Sequence, residues 1–198
     1  MSDNWTIRVI DYQEACKKIR EQAKVLTKRM WKNLKPYIEK EKEIYKFLEG
    51  RTLTEEEIRS RLYPEWTALI DKDLNLISPR YGFDAEGLLF TKPIRTVSPK
   101  PYSIGDIHYH PIPKLEPSDR DLISWVNRYE IGEKLFCIHT DEETVCYLFR
   151  DISSDEIPQE LKSFALALFG MPEAIIEKVK NWFRQMIEEG KVMVYKCR

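Results

Sequence analysis

Two histidines one residue apart, in His108-Tyr109-His110-Pro111, follow the strand-like residues Ile104 and Ile107. On an extended segment side chains alternate between faces, so positions 108 and 110 point to the same side and both imidazoles can bind one ion. After a proline-flanked loop, Ser118-Asp119-Arg120-Asp121 offers Asp121 as a third donor. Two imidazoles and a carboxylate suit zinc, and three protein ligands leave a fourth tetrahedral position for water. That is the arrangement of a catalytic rather than a closed structural site, and its chemistry is hydrolysis. Ser118 and Asp121, placed before the apolar run Leu122-Ile123-Ser124-Trp125-Val126, also form a capping box at a helix start, a reading compatible with ligation. His139, the third histidine, lies outside this pattern at a strand end and reads as structural or surface.

The elements that must carry these residues follow from periodicity. Trp5, Ile7 and Val9 alternate with polar neighbours, a half-buried strand pattern. Over 13–49 the pattern turns helical, with Ala15, Ile19, Ala23, Leu26, Met30 and Leu34 at three- and four-residue steps. Pro36 is expected to kink or break this helix, leaving a second stretch over 37–48 that Gly50 ends. The exposed helical hairpin so formed would suit dimerisation or partner docking. The charge run over 35–43 reads as a solvated helix face with internal ion pairs. Thr54-Glu55-Glu56-Glu57 is a second capping box, opening a short helix that Pro64 closes.

Short strands are expected at 67–70, 74–77, 87–90, 94–97 and, bearing the histidines, 104–110. A helix over 119–129 follows, then strands at 134–139 and 144–149. Helices over 159–169 and 172–189 stop at Gly170 and Gly190, before a last strand at 192–195. Trp182, Phe183, Met186 and Ile187 fall on one side of the last helix and read as core. The order of elements is α+β.

With 42% hydrophobic residues, the 198-residue chain can bury a substantial core. Its 32 basic and 33 acidic side chains nearly cancel, so no global field marks a nucleic-acid binder or a membrane-surface protein. No apolar run approaches the roughly 20 residues that span a bilayer. Met1-Ser2-Asp3-Asn4-Trp5 is not a basic region leading into an apolar stretch, so the chain is expected in the cytoplasm. Cys16, Cys137, Cys146 and Cys197 are far apart in apolar or amphipathic segments and read as buried thiols, although Cys137 and Cys146 could face each other across a hairpin. No Cys-x-x-Cys pair suggests a second zinc, and there is neither a Gly-rich phosphate loop nor a Gly-x-Ser-x-Gly elbow.

The whole string, His-x-His-Pro followed by Ser-x-x-Asp, resembles the signature of the JAB1/MPN/Mov34 (JAMM) metalloenzyme family. The resemblance implies one Zn2+ per chain on His108, His110 and Asp121. It also implies a metalloprotease that, like a deubiquitinase, cleaves isopeptide or peptide bonds at the C-terminus of a ubiquitin-like modifier. The modifier's tail would add as a strand beside the metal site. The fold it implies is a curved mixed β-sheet flanked by helices, a JAB1/MPN-like architecture with cytidine-deaminase-like layers. On this reading residues 1–150 form the catalytic domain, with a helical insertion at about 13–63, and residues 151–198 pack on the same domain.

The family places a general acid/base glutamate upstream of the histidines, after a helix and just before a strand. Glu65, in Pro64-Glu65-Trp66-Thr67-Ala68-Leu69-Ile70, matches that setting. Glu86, in Ala85-Glu86-Gly87-Leu88-Leu89, is the rival, but no expected helix precedes it. The family's matching serine, here Ser118, donates a hydrogen bond to the developing oxyanion.

Three features depart from the family. The helical insertion has no role in the catalytic reading; Tyr109 replaces a small residue, and would either narrow the cleft or point to the opposite face of the sheet; Ala68 stands where Gly is common. The alternatives are a non-catalytic MPN-type scaffold, with the N-terminal helices serving a homodimer or a partner, and a RadC-like protein linked to DNA. Balanced charge counts against the last of these.

Overall fold

A computed structural model of the chain describes residues 12–84 and 92–197. The strands expected at 5–9 and 87–90, and the rival base Glu86, lie outside those residues. The first element, α1, is one helix from Tyr12–Glu49 with Pro36 inside it. Cys16, Ile19, Ala23, Leu26, Met30, Leu34 and Ile38 form its buried stripe. Pro36 and Lys32 are exposed, so the carbonyl deprived of its donor by the proline meets water, while buried Leu34 and Ile38 hold the axis on either side. The expected break and hairpin are therefore absent. The sheet covers the apolar stripe of α1. Within the charge run, Lys42 pairs with Glu39 at 3.1 Å on the solvent side, but Glu41 is buried and its burial raises its pKa.

Thr54 caps a single turn, α2 (Glu55–Glu57), that continues as a π-helical turn over Ile58–Leu62. Six strands follow: β1 (Pro64–Asp71), β2 (Leu76–Phe83), β3 (Ser103–Tyr109), β4 (Leu135–His139), β5 (Thr144–Phe149) and β6 (Val192–Cys197). They form one sheet in the order β2-β1-β3-β4-β5-β6, parallel only between β3 and β4, so the fold is α+β with a mixed sheet that does not close into a barrel. Helix α3 (Asp119–Glu130) bridges the parallel pair, and α4 (Phe164–Phe169) and α5 (Glu173–Glu188) precede β6. Among the described residues no helix is long and apolar enough to cross a membrane.

Local chemistry accounts for the remaining differences from expectation. Segment 94–97 forms no strand; its pairing stops at an isolated bridge between Phe83 and Pro93 and one bond from the Ile94 N–H to the Phe83 carbonyl. Leu74 adopts φ 63° in a turn, so β2 starts after it and runs on to Phe83. The helix expected over 159–169 divides into a 3-10 turn, Gln159–Lys162, and α4, which Ser163 caps. In β3, Gly105 lies opposite Leu135, where an added Cβ would stand 1.5 Å from the Leu135 carbonyl oxygen. Glycine alone lets β3 approach β4 at that point.

The sheet separates two cores. On the α1 side, Trp66, Ala68, Ile70, Ile107, Tyr109, Leu135 and Leu148 pack against the helix, and buried Trp66 Nε1 donates to Thr27 Oγ1 at 3.0 Å. On the other side Phe136, Ile138, Tyr147 and Phe149 surround Trp125 of α3 and meet Trp182, Phe183 and Met186 of α5. All four cysteines lie on the α1 side and are paired, which corrects their reading as thiols. Register places Cys137 opposite Cys146 with Cα atoms 4.1 Å apart. The fold brings Cys16 of α1 to Cys197 of β6 with Cα atoms 5.2 Å apart, across a sequence separation of 181 that no local pattern reveals.

Candidate metal centre

Strand β3 delivers His108 to the α3 side of the sheet, 6.3 Å from the Trp125 ring, and His110 follows just past the strand's end. The His110 N–H donates to the His139 carbonyl at 2.9 Å, which holds the residue in line with the sheet. Its ring Nδ1 lies 2.6 Å from the Lys114 carbonyl oxygen, and a carbonyl can only accept. Nδ1 therefore carries the proton, and the lone pair of Nε2 faces inward. The loop bearing Lys114 is itself held, since Tyr147 Oη donates to the Leu115 carbonyl at 2.8 Å.

The His110 lone pair points at His108 Nε2, 2.9 Å away. Asp121 brings Oδ1 to 3.3 Å from His108 Nε2 and Oδ2 to 3.7 Å from His110 Nε2. These spacings resemble the edge of about 3.3 Å expected for a tetrahedron with metal–ligand bonds near 2.0 Å. Two nitrogens at 2.9 Å need a proton or a cation between them. The donor set fits a zinc-type ion, and it is the same His108, His110 and Asp121 group that the spacing in the sequence singled out.

The cap of α3 fixes the third donor. Ser118 Oγ accepts from the Asp121 N–H at 3.1 Å, and Asp121 Oδ2 accepts from the Ser118 N–H at 2.8 Å. Accepting that bond leaves the Ser118 O–H able to donate elsewhere. Glu65, in β1, reaches the site by register. Thr67 lies opposite His108, and the two-residue period puts Glu65 on the same face, toward His110.

The electrostatics match the placement. Burial opposes charge on His108, but the Asp121 carboxylate outweighs it, helped by Glu65 and Asp106, and raises the ring to about 9. Asp121 is buried as well, yet the facing histidines hold it well below the usual carboxylate range. Glu65 is pushed up to about 8, chiefly by burial, with Asp84 and Asp121 adding to the effect and His108 opposing it. A carboxyl that titrates near neutral pH can both take and return a proton.

The remaining residues sort clearly. His139 lies on the α1 face with Nδ1 2.7 Å from Thr144 Oγ1; burial lowers it to about 4, so it is a neutral structural group. Tyr109 also points to the α1 face and does not narrow the cleft. Beneath His108, buried Asp106 pairs with Arg128 at 3.2 Å, and Arg128 also binds Glu133 and the Val97 carbonyl. The sequence reading missed Asp106, although its position two residues before His108 on the same strand was a usable signal. Tyr63, at φ 48° just before β1, has its ring 6.3 Å from that of His110 and carries no comparable signal in the sequence.

Strand β3 is paired on both sides, by β1 and by β4. A groove of about 290 Å³ lies elsewhere, lined by residues including Trp31, Ile38, Leu53, Glu55 and Ile58, and none of its lining residues belongs to the metal group. No protein-family model matches the chain, and no curated protein or solved structure matches it either.

Proposed function

We propose that the chain is a JAMM-type metal-dependent hydrolase on an MPN-like fold, cleaving an isopeptide or peptide bond after the C-terminal tail of a ubiquitin-like modifier. The observation that carries the reading is the convergence of His108 Nε2, His110 Nε2 and the Asp121 carboxylate, with the His110 tautomer set by Lys114. His108, His110 and Asp121 would hold zinc, which when bound supplies Lewis acidity toward water and the scissile carbonyl.

The chain's own groups do the rest. Glu65, on the same face, accepts the proton of the attacking water and returns it to the leaving amine, and its raised pKa supports that role. Ser118 directs its O–H at the carbonyl oxygen as negative charge develops there. The substrate tail adds as a strand beside the metal site, at an edge other than those of β3, which β1 and β4 occupy.

The scaffold reading keeps one supporting observation, the exposed apolar pair Phe47 and Leu48 at the far end of α1. The deciding experiment offers zinc-loaded protein a panel of ubiquitin-like modifiers carrying a C-terminal fluorogenic amide, and compares wild type with Glu65→Gln. Turnover by the wild type, lost in a variant that keeps its zinc, is the expected result. Equal turnover by the variant removes Glu65 from the mechanism, and no cleavage of any modifier leaves the scaffold reading in front.

A further inference from the structure

The helical insertion and Tyr109 are the two features that the hydrolase reading left without a role, and they meet at one side chain. Arg59, in the π-helical turn of the insertion, spans from α1 to the end of the metal-bearing strand. Its guanidinium lies 4.9 Å above the Trp31 ring, and Nη2 is 3.3 Å from Glu55 Oε1. From the same group, Nη1 donates to Tyr109 Oη at 3.1 Å, to the Pro111 carbonyl at 3.0 Å and to Asp141 Oδ2 at 2.7 Å. Tyr109 Oη in turn donates to Asp141 Oδ1 at 3.0 Å, tying in the turn between β4 and β5.

Residues 109 and 111 flank His110. One arginine thus holds the chain on both sides of a metal donor, from the face of the sheet opposite the metal. The Tyr109 ring is fully buried, so its hydroxyl reports a fixed position rather than a passing contact. The two Nη1 hydrogens are shared among these three acceptors while Nη2 reaches Glu55, so the planar fork joins the turn to the strand end in a way that a single ammonium nitrogen does less well.

We propose that Arg59, through Tyr109, Pro111 and Asp141, is a positioning residue that sets the His110 ring for metal binding, and that the helical insertion serves to present it. The inference rests on the metal reading of His108, His110 and Asp121. Without Arg59 the segment from Tyr109 to Pro111 keeps its β-sheet bonds, the bond from His110 Nδ1 to the Lys114 carbonyl and the Tyr109–Asp141 contact, but loses its anchor on both flanks of His110. His110 Nε2 then samples orientations away from His108, and the ion is held less tightly. Asp141→Asn acts in the same direction more weakly, because the neutral amide keeps one acceptor for Tyr109 or for Arg59.

The test is zinc affinity, measured by competition with a chromophoric chelator, on wild type, Arg59→Ala, Arg59→Lys and Arg61→Ala. Arg61 is the matched control: it lies in the same turn, pairs with Glu57 at 3.4 Å and stacks 5.8 Å above the Tyr45 ring, but makes no such contact with the metal-bearing strand. Arg59→Ala should weaken zinc binding by about tenfold or more, the scale seen when a metal ligand loses its outer support. Arg59→Lys should recover part of that loss, and Arg61→Ala should leave affinity unchanged. Thermal unfolding of zinc-free samples separates a general loss of stability from an effect on the site. If Arg59→Ala binds zinc as tightly as wild type, or Arg61→Ala loses as much, the positioning role is overturned while the metal site stands. If wild type itself binds no zinc, the metal reading and this inference fall together.

Discussion

His108 and His139 stand on adjacent strands and on opposite faces of one sheet, and the molecule treats them in opposite ways. Both are buried, but His139 faces Trp66, Tyr109 and a threonine hydroxyl, and burial lowers it to about 4. His108 faces Asp121, with Glu65 and Asp106 nearby, and those carboxylates raise it to about 9. Burial alone makes a neutral packing group; burial opposite carboxylates makes a site that demands positive charge, from a proton or from a metal. The α1 face is thus covalently closed and structural, whereas the α3 face concentrates the carboxylates and the two donor imidazoles.

The largest effect that can test this division is on the α1 side. In the chain-entropy picture the Cys16–Cys197 link, with a separation of 181, contributes about 5 kcal/mol, and Cys137–Cys146, with a separation of 9, about 3 kcal/mol. Urea unfolding of the two paired serine variants should rank in that order, and zinc affinity should be unchanged in both. A disulfide variant that stays folded but loses zinc would show that the two faces are not independent.

The next effect is on pH. The pKa of His139 in the folded state, about 4, lies below its ordinary 6.5, so the unfolded chain binds more protons between those values. Stability should therefore fall by roughly 3 kcal/mol as pH drops from 6.5 to 4. A folded His139→Gln variant should lose that part of the slope.

His108 has the opposite sign. In zinc-free protein its contribution is fully present below 6.5 and is lost as pH rises through about 9, with Glu65, raised from 4.5 to about 8, acting in the same sense. Asp121→Asn should lower the His108 titration, followed by NMR, because burial then acts with less opposition. A ring that still titrates near 9 would show that Asp121 is not the cause. The smallest effect belongs to Thr27→Val, a change of similar size that removes the acceptor for the Trp66 indole and should cost about 1 kcal/mol with no change in zinc binding.

What the sequence disclosed follows from what is local. The His-x-His alternation, the Ser118 cap and the three- and four-residue steps of α1 are read within one element, and each reappears in the structure, with Cys16 rather than the half-buried Ala15 opening the α1 stripe. Glu65 was singled out through the resemblance rather than by a local pattern; it lies within β1, and register gives its face. Pro36 misled because its effect depends on whether the freed carbonyl meets water, which is a property of the packed helix. The Cys16–Cys197 link and the Arg59 contacts with Tyr109 and Pro111 join residues far apart in the chain, so no periodicity or motif encodes them.

The central claim is that the α3 face holds a metal. Elemental analysis of untagged protein supplied with zinc and then dialysed, beside a folded His108→Ala/His110→Ala variant, tests it most directly. The account predicts about one zinc per chain in the wild type and none in the variant. A folded wild type that retains no zinc, or a variant that retains as much, would contradict it.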